Sequence, residues 1–220
     1  MIRPSFFLVC AMLFCEAASA DFKPQNVTAG EMALLPEYCP DTQGFQYGDQ
    51  HYNTSPRAAY WVGLMGKSFW AHHHYCWALI YINRAKAAGL RPQEREALYR
   101  WAINDYRYVV QHSTPDFVLL PEVWTRMGEA YVLLGANGSA FEAFGAARRI
   151  KPDYWPPYVR WADVLARLGK RTEALAHLEE GLQRMPTERA LIEAYERLGG
   201  NHARFARSPR AAASAASATP

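Results

Sequence analysis

Apolar and small residues in the second half of the chain recur on a fixed spacing. Trp124, Met127, Gly128, Tyr131, Ala140, Phe144, Ala147 and Pro152 lie at offsets 0, 3, 4, 7, 16, 20, 23 and 28. Moving 34 residues on reaches Tyr158, Trp161, Ala162, Leu165, Ala174, Leu178, Gly181 and Pro186, apolar or small at every position. Steps of three and four mark one face of an α-helix. The pattern predicts two helix pairs, residues 121–134 with 139–150 and residues 156–168 with 171–184. Gly135-Ala136-Asn137-Gly138 and Gly169-Lys170 supply the turns. A last helix over 187–199, with Thr187 as N-cap, turns Leu191, Ile192, Tyr195 and Leu198 inward.

Upstream the pattern is looser. Residues 21–55 are rich in Pro, Gly, Asn, Gln and Tyr and hold no sustained 3.6 period, apart from a short helix near residues 32–35. They read as an irregular arm whose aromatics (Tyr38, Phe45, Tyr47, Tyr52) pack on something. Ser55-Pro56 is a helix-start signal, Ser as N-cap and Pro in the first turn. It opens a helix to residue 64, followed by helices over 67–88 and 92–111. Within them His74, Trp77, Ala78 and Tyr81 repeat the first half of the downstream spacing. Ala97 and Trp101 stand for its second half if the linker carries about seven extra residues.

The two downstream copies resemble the tetratricopeptide signature, W-x2-L-G-x2-Y, then A-x3-F, then P, on a period of 34. The resemblance implies an all-α fold, a short right-handed solenoid of helix–turn–helix repeats, here with the irregular N-terminal arm. The division is then an arm at 21–55, a helical region with a degenerate repeat at 56–120, and repeats at 121–154 and 155–188. A capping helix at 189–200 and a disordered tail at 201–220 complete it. It also implies a concave groove in which a partner segment is recognised. The groove-facing positions would be Glu122, Thr125, Glu129, Val132 and Leu133, then Val159, Asp163, Ala166 and Arg167, with His72, Tyr75, Leu79, Ile82 and Asn83 from the degenerate repeat. Glu129 and Asp163 beside apolar surface would suit a partner carrying Arg or Lys. The groove is either open to that partner or filled by the chain's own arm.

Composition narrows the setting. A formal charge of +3 is too small to imply nucleic acid or an anionic membrane surface, and half the residues are hydrophobic, ample for one core. Residues 1–20 read as a secretory signal: Arg3, an apolar run from Phe6 to Phe14, and Ala18-Ser19-Ala20 as the cleavage site. That run is too short to span a membrane, for which about 20 apolar residues are needed. The expectation is a periplasmic or secreted protein cleaved after Ala20, without a membrane span. Cys10 and Cys15 leave with the signal, and Cys39 and Cys76 are expected to form a disulfide in an oxidising compartment.

Chemistry is sparse. There is no G-x-S-x-G, no phosphate-cradling glycine loop, and an oxidised Cys76 is no nucleophile. His72, His73, His74 and Cys76 form the one cluster with metal-ligand residue types. Consecutive helical histidines point in different directions, however, and zinc needs three or four convergent ligands. The expected protein is a non-enzymatic adaptor with no cofactor and no metal. Its partner would be another envelope protein or peptide segment. Similarity to periplasmic tetratricopeptide proteins implies a place in the assembly of an export, pilus or polysaccharide machine. The second reading is a metal-binding or redox protein built on the His72–Cys76 cluster.

Overall fold

A computed structural model of the chain describes residues 23–45 and 55–206. The expected signal peptide, the middle of the arm (46–54) and the last residues from 207 onward lie outside the described residues. Those described are all-helical, without a strand. The order is α1 (Ala29–Met32), 3-10 turns at Cys39–Asp41 and Gln43–Phe45, α2 (Ala58–Met65), a 3-10 segment at Gly66–Ala71 and α3 (His73–Arg84). There follow α4 (Pro92–His112), α5 (Leu120–Leu133), α6 (Asn137–Ile150), α7 (Pro156–Arg167), α8 (Arg171–Arg184), α9 (Arg189–Arg197) and α10 (Ala203–Ala206). Each helix from α3 to α9 packs on the next in sequence.

The pairs α5/α6 and α7/α8 close through the same device. Gly135 and Gly169 both hold φ at 74°, a left-handed conformation that glycine adopts without cost. The following N–H groups then reach back, Ala136 to the Tyr131 carbonyl and Lys170 to the Leu165 carbonyl, each at 2.9 Å. These bonds satisfy carbonyls that a helix end would otherwise orphan. Inside the first pair a Cβ on Gly128 would lie 2.5 Å from the Phe144 ring, so the small residue is what lets α5 and α6 approach. Ala140, Phe144, Ala162, Ala174 and Leu178 are all buried, so the periodic positions are core.

Three elements depart from the periodicity. The expected continuous helix over 67–88 is split, its first turns wound as 3-10 at Gly66–Ala71. There Phe69 is fully buried and the Ser68 hydroxyl accepts from the Thr114 N–H at 3.0 Å, tertiary contacts that override local helix preference. In α4 the buried triplet is Ala102, Tyr106 and Val109, five residues after the expected Ala97 register, and Trp101 is 38% exposed. The extra length lies in α4 itself, which runs for 21 residues: its first turns carry Arg95, which donates to the Ala85 carbonyl just past the end of α3 at 2.9 Å, before the buried triplet begins. At the C-terminal end residues 203–206, expected to be disordered, form α10. Phe205 of α10 is buried, its ring 5.8 Å from that of Tyr195. The N-cap of α9 is Glu188, whose carboxylate accepts from the Ala190 N–H, rather than Thr187.

The described part of the arm is fastened at several points. Thr28 and Glu31 cap α1 reciprocally, and Glu31 also accepts from Arg84 Nε at 2.5 Å. That guanidinium, against the opposing effect of burial and aided by the Thr28 backbone N–H, holds the Glu31 carboxyl down at about 2. Asp41 takes hydrogen bonds from Trp61 Nε1 at 2.6 Å and from Ser55 Oγ at 2.5 Å, joining the arm to α2. Ser55 in turn accepts from the Arg57 N–H, although α2 itself starts two residues later than the Ser-Pro signal implies. Cys39 and Cys76 are bonded, with Cα atoms 5.8 Å apart and a sequence separation of 37. Closing such a loop stabilises the fold by about 4 kcal/mol on the chain-entropy account. The bond fits an oxidising compartment, and no described helix is long and apolar enough to cross a membrane.

Candidate functional site

Helices α3, α5 and α7 and the arm border an open cavity of about 680 Å³. From α3 come Tyr75, Leu79, Ile82 and Asn83, with Lys86 just beyond its end. From α5 come Glu122, Arg126, Glu129, Val132 and Leu133, and from α7 come Arg160, Asp163, Val164 and Arg167. Tyr106 of α4 and Phe144 of α6 reach its floor, and Leu34, Leu35 and Pro36 of the arm form a wall. The described arm thus edges the groove without filling it. Leu35 is buried there, while Leu34 remains 69% exposed.

Of the groove positions expected from sequence, Glu122, Glu129, Val132, Leu133, Asp163, Arg167, Tyr75, Leu79, Ile82 and Asn83 line this cavity. The others do not. Thr125 is buried and its hydroxyl donates to the Pro121 carbonyl at 2.8 Å, one turn back. Val159 is buried in the α7–α8–α9 core, and Ala166 packs against the same core. His72 is buried behind α3, its ring stacked on Tyr75 at 4.6 Å and edge-on to Phe117.

The expected acidic character is also corrected, because every groove carboxylate is engaged within the protein. Glu122 accepts from the Tyr75 hydroxyl at 2.6 Å and lies 3.6 Å from Arg126. Glu129 accepts from Arg126 at 3.2 Å and from Arg160 of the next concave helix at 2.6 Å. Asp163 accepts from Arg197 of α9 at 3.0 Å. The acidic ends of the two inter-helix rungs, Glu129 and Asp163, are one 34-residue step apart, while the arginine ends, Arg160 and Arg197, are 37 apart, so the second rung is made from one turn further along its helix. Burial works against the charge on Arg126, yet Tyr75, Glu129 and Glu122 around it hold it firmly protonated. Burial first, then the Glu122 charge, pushes the Tyr75 hydroxyl well above its usual range, so it stays a donor.

Arg126, Arg160 and Lys86 were absent from the sequence-based set. A signal for the arginines existed: Arg126 and Arg160 are themselves 34 apart and sit three residues before Glu129 and Asp163.

The three histidines make different hydrogen bonds, although the His73 and His74 rings lie 4.3 Å apart and both pack on Trp77. His72 Nε2 faces the Tyr38 hydroxyl at 3.3 Å, His73 Nδ1 faces the Trp70 carbonyl at 2.8 Å, and His74 Nδ1 pairs with Asp105 at 2.7 Å. Cys76 is committed to the disulfide. Among the described residues no three His, Cys, Asp or Glu groups are gathered as metal donors. No known protein-family model and no curated protein sequence matches this chain.

Proposed function

We propose that the chain is an exported, non-enzymatic interaction adaptor, a short solenoid of tetratricopeptide-type helix pairs that holds a segment of another envelope protein. The observation that carries this reading is the open cavity of about 680 Å³, walled by the first helices of consecutive pairs and by the arm. Its lining mixes apolar side chains with a few fixed charges, the composition of a recognition site. The helix ends support the repeat assignment. α5 and α7 end 34 residues apart at Leu133 and Arg167, as do α6 and α8 at Ile150 and Arg184. In α3/α4 the buried Ala102, Tyr106 and Val109 follow the same 0, 4, 7 spacing as Ala140, Phe144 and Ala147, after a longer linker. Such pairs cannot bury their faces singly and stack for that reason. The buried disulfide supports the oxidising setting.

Site-specific photocrosslinking tests the reading. A photoreactive benzophenone side chain placed at Leu34 or Leu133, both exposed on the groove, is expected to yield a discrete adduct in the cells that make the protein. Placed at Ile150 or Leu168, exposed but outside the cavity, it should not. Adducts at neither groove position, or the same adduct at Ile150, would remove the groove from the proposal.

A further inference from the structure

The pairing pattern inside the groove narrows the chemistry of its occupant, on the premise that the adaptor reading above holds. All three lining carboxylates are taken: Glu122 by Tyr75 and Arg126, Glu129 by Arg126 and Arg160, and Asp163 by Arg197. A basic segment would have to displace an arginine from each before pairing. The lining cations are less committed. Lys86 Nζ donates to the Asn83 side-chain oxygen at 2.9 Å, and neither Lys86 nor Arg167 pairs with a carboxylate among the described residues. Both are exposed, and they stand at the C-terminal ends of α3 and α7. Between them, at the end of α5, lies Leu133, 51% exposed. That rim therefore reads cation, apolar, cation.

We infer that the groove takes an extended peptide segment that is both acidic and apolar. An apolar side chain of the segment covers Val132 and Leu133, and carboxylates on either side reach Lys86 and Arg167. Neighbouring concave helices sit roughly 10 Å apart, so the two cations are on the order of 20 Å from one another. An extended chain rises about 3.3 Å per residue, which places the two carboxylates about six residues apart. Charge matching of this kind sets encounter rate and partner choice more than raw affinity.

A random dodecapeptide library displayed on phage and selected on the purified full chain tests this. The enriched peptides are expected to carry Asp or Glu about six residues apart around a Leu, Ile, Val or Phe. A fluorescein-labelled winner, followed by anisotropy, should lose about tenfold or more in affinity to a Lys86→Glu/Arg167→Glu double variant, the scale of two reversed rim charges at low salt. It should also weaken as NaCl is raised. Arg149→Glu, an exposed change on α6 outside the cavity, should leave binding unchanged. Winners rich in Lys or Arg, or acidic winners indifferent to the double reversal, would overturn the inference. If such winners still lose binding in Leu133→Asp, the adaptor groove survives. No enrichment at all, or winners insensitive to Leu133→Asp, would remove both.

Discussion

Replacing Gly128 by alanine adds one methyl group at the tightest point between α5 and α6. The new Cβ would stand 2.5 Å from Phe144 Cε1, 2.7 Å from Cδ1 and 3.1 Å from Cζ. Ordinary carbon contact begins near 3.5 Å, so ring and methyl must separate by about 1 Å. Phe144 is fully buried under the floor of the groove, with Ala140 and Val164 packed beside it, so the ring can yield only toward the groove. Overpacking of this kind costs typically 1–3 kcal/mol, and a clash with a confined aromatic ring belongs at the upper end. Alanine returns up to about 1 kcal/mol through its better helix propensity. The net expectation is a loss of about 2 kcal/mol, or roughly 4–8 °C in Tm for a chain of this length. Thermal melts followed by far-UV circular dichroism measure it. Gly138→Ala is the matched control: nothing lies within 4 Å of its added Cβ, and its φ is not positive. That change should stabilise by about 0.4–1 kcal/mol. Phe144→Leu in the Gly128→Ala background should recover much of the loss, giving a favourable coupling in the double-mutant cycle. If Gly128→Ala melts at or above the parent temperature, or if the two changes simply add, close approach at Gly128 is not what sets the packing of this pair.

Three further outcomes are expected. Reduction of Cys39–Cys76 should lower the urea-unfolding free energy by about 4 kcal/mol and speed proteolysis of the arm; because both cysteines are fully buried, the folded protein should resist a thiol reagent until urea is added. The His72 pKa is held down to about 3, chiefly by burial and secondarily by His73. Against about 6.5 in the unfolded chain, the unfolded state takes up the proton first. The neutral ring's contribution is therefore complete above pH 6.5 and is lost as pH falls toward 3, at up to about 1.4 kcal/mol per pH unit. His72→Phe, which keeps a ring against Tyr75, should flatten the acid limb of urea midpoints between pH 6.5 and 4, and an unaltered slope would show that other groups cause it. Lastly, Thr28→Ala removes the hydroxyl that caps α1, and about 1 kcal/mol is expected to go with it; hydrogen exchange at the Glu31 amide should quicken, since that N–H is the one Thr28 Oγ1 accepts.

Helices α5 to α8 were legible in the sequence nearly residue for residue. Their information is local: the 3.6-residue period selects a face, and Gly135 and Gly169 supply a backbone conformation that other residues resist. The Cys39–Cys76 bond was legible as well, because the expected signal peptide would carry off the other two cysteines and leave this pair. The site was legible only in part. A helix period shows which face is apolar, but it does not show how far a long side chain reaches across to the next helix. Glu129 and Asp163 read as an available acidic element, yet Arg160 and Arg197 come over from α7 and α9 to take them. That meeting depends on the spacing and rotation of helices set by distant core residues such as Phe144, Leu178 and Leu191. The same holds for the burial of His72, which needed Tyr38 and Phe117 brought from far along the chain. It holds equally for the five-residue shift in α4, where Ala102, Tyr106 and Val109 bury in place of the Ala97 register. Spacing along the chain determined the scaffold of this protein, whereas the charge its groove presents arose only when neighbouring helices closed on one another and their side chains competed for the same partners.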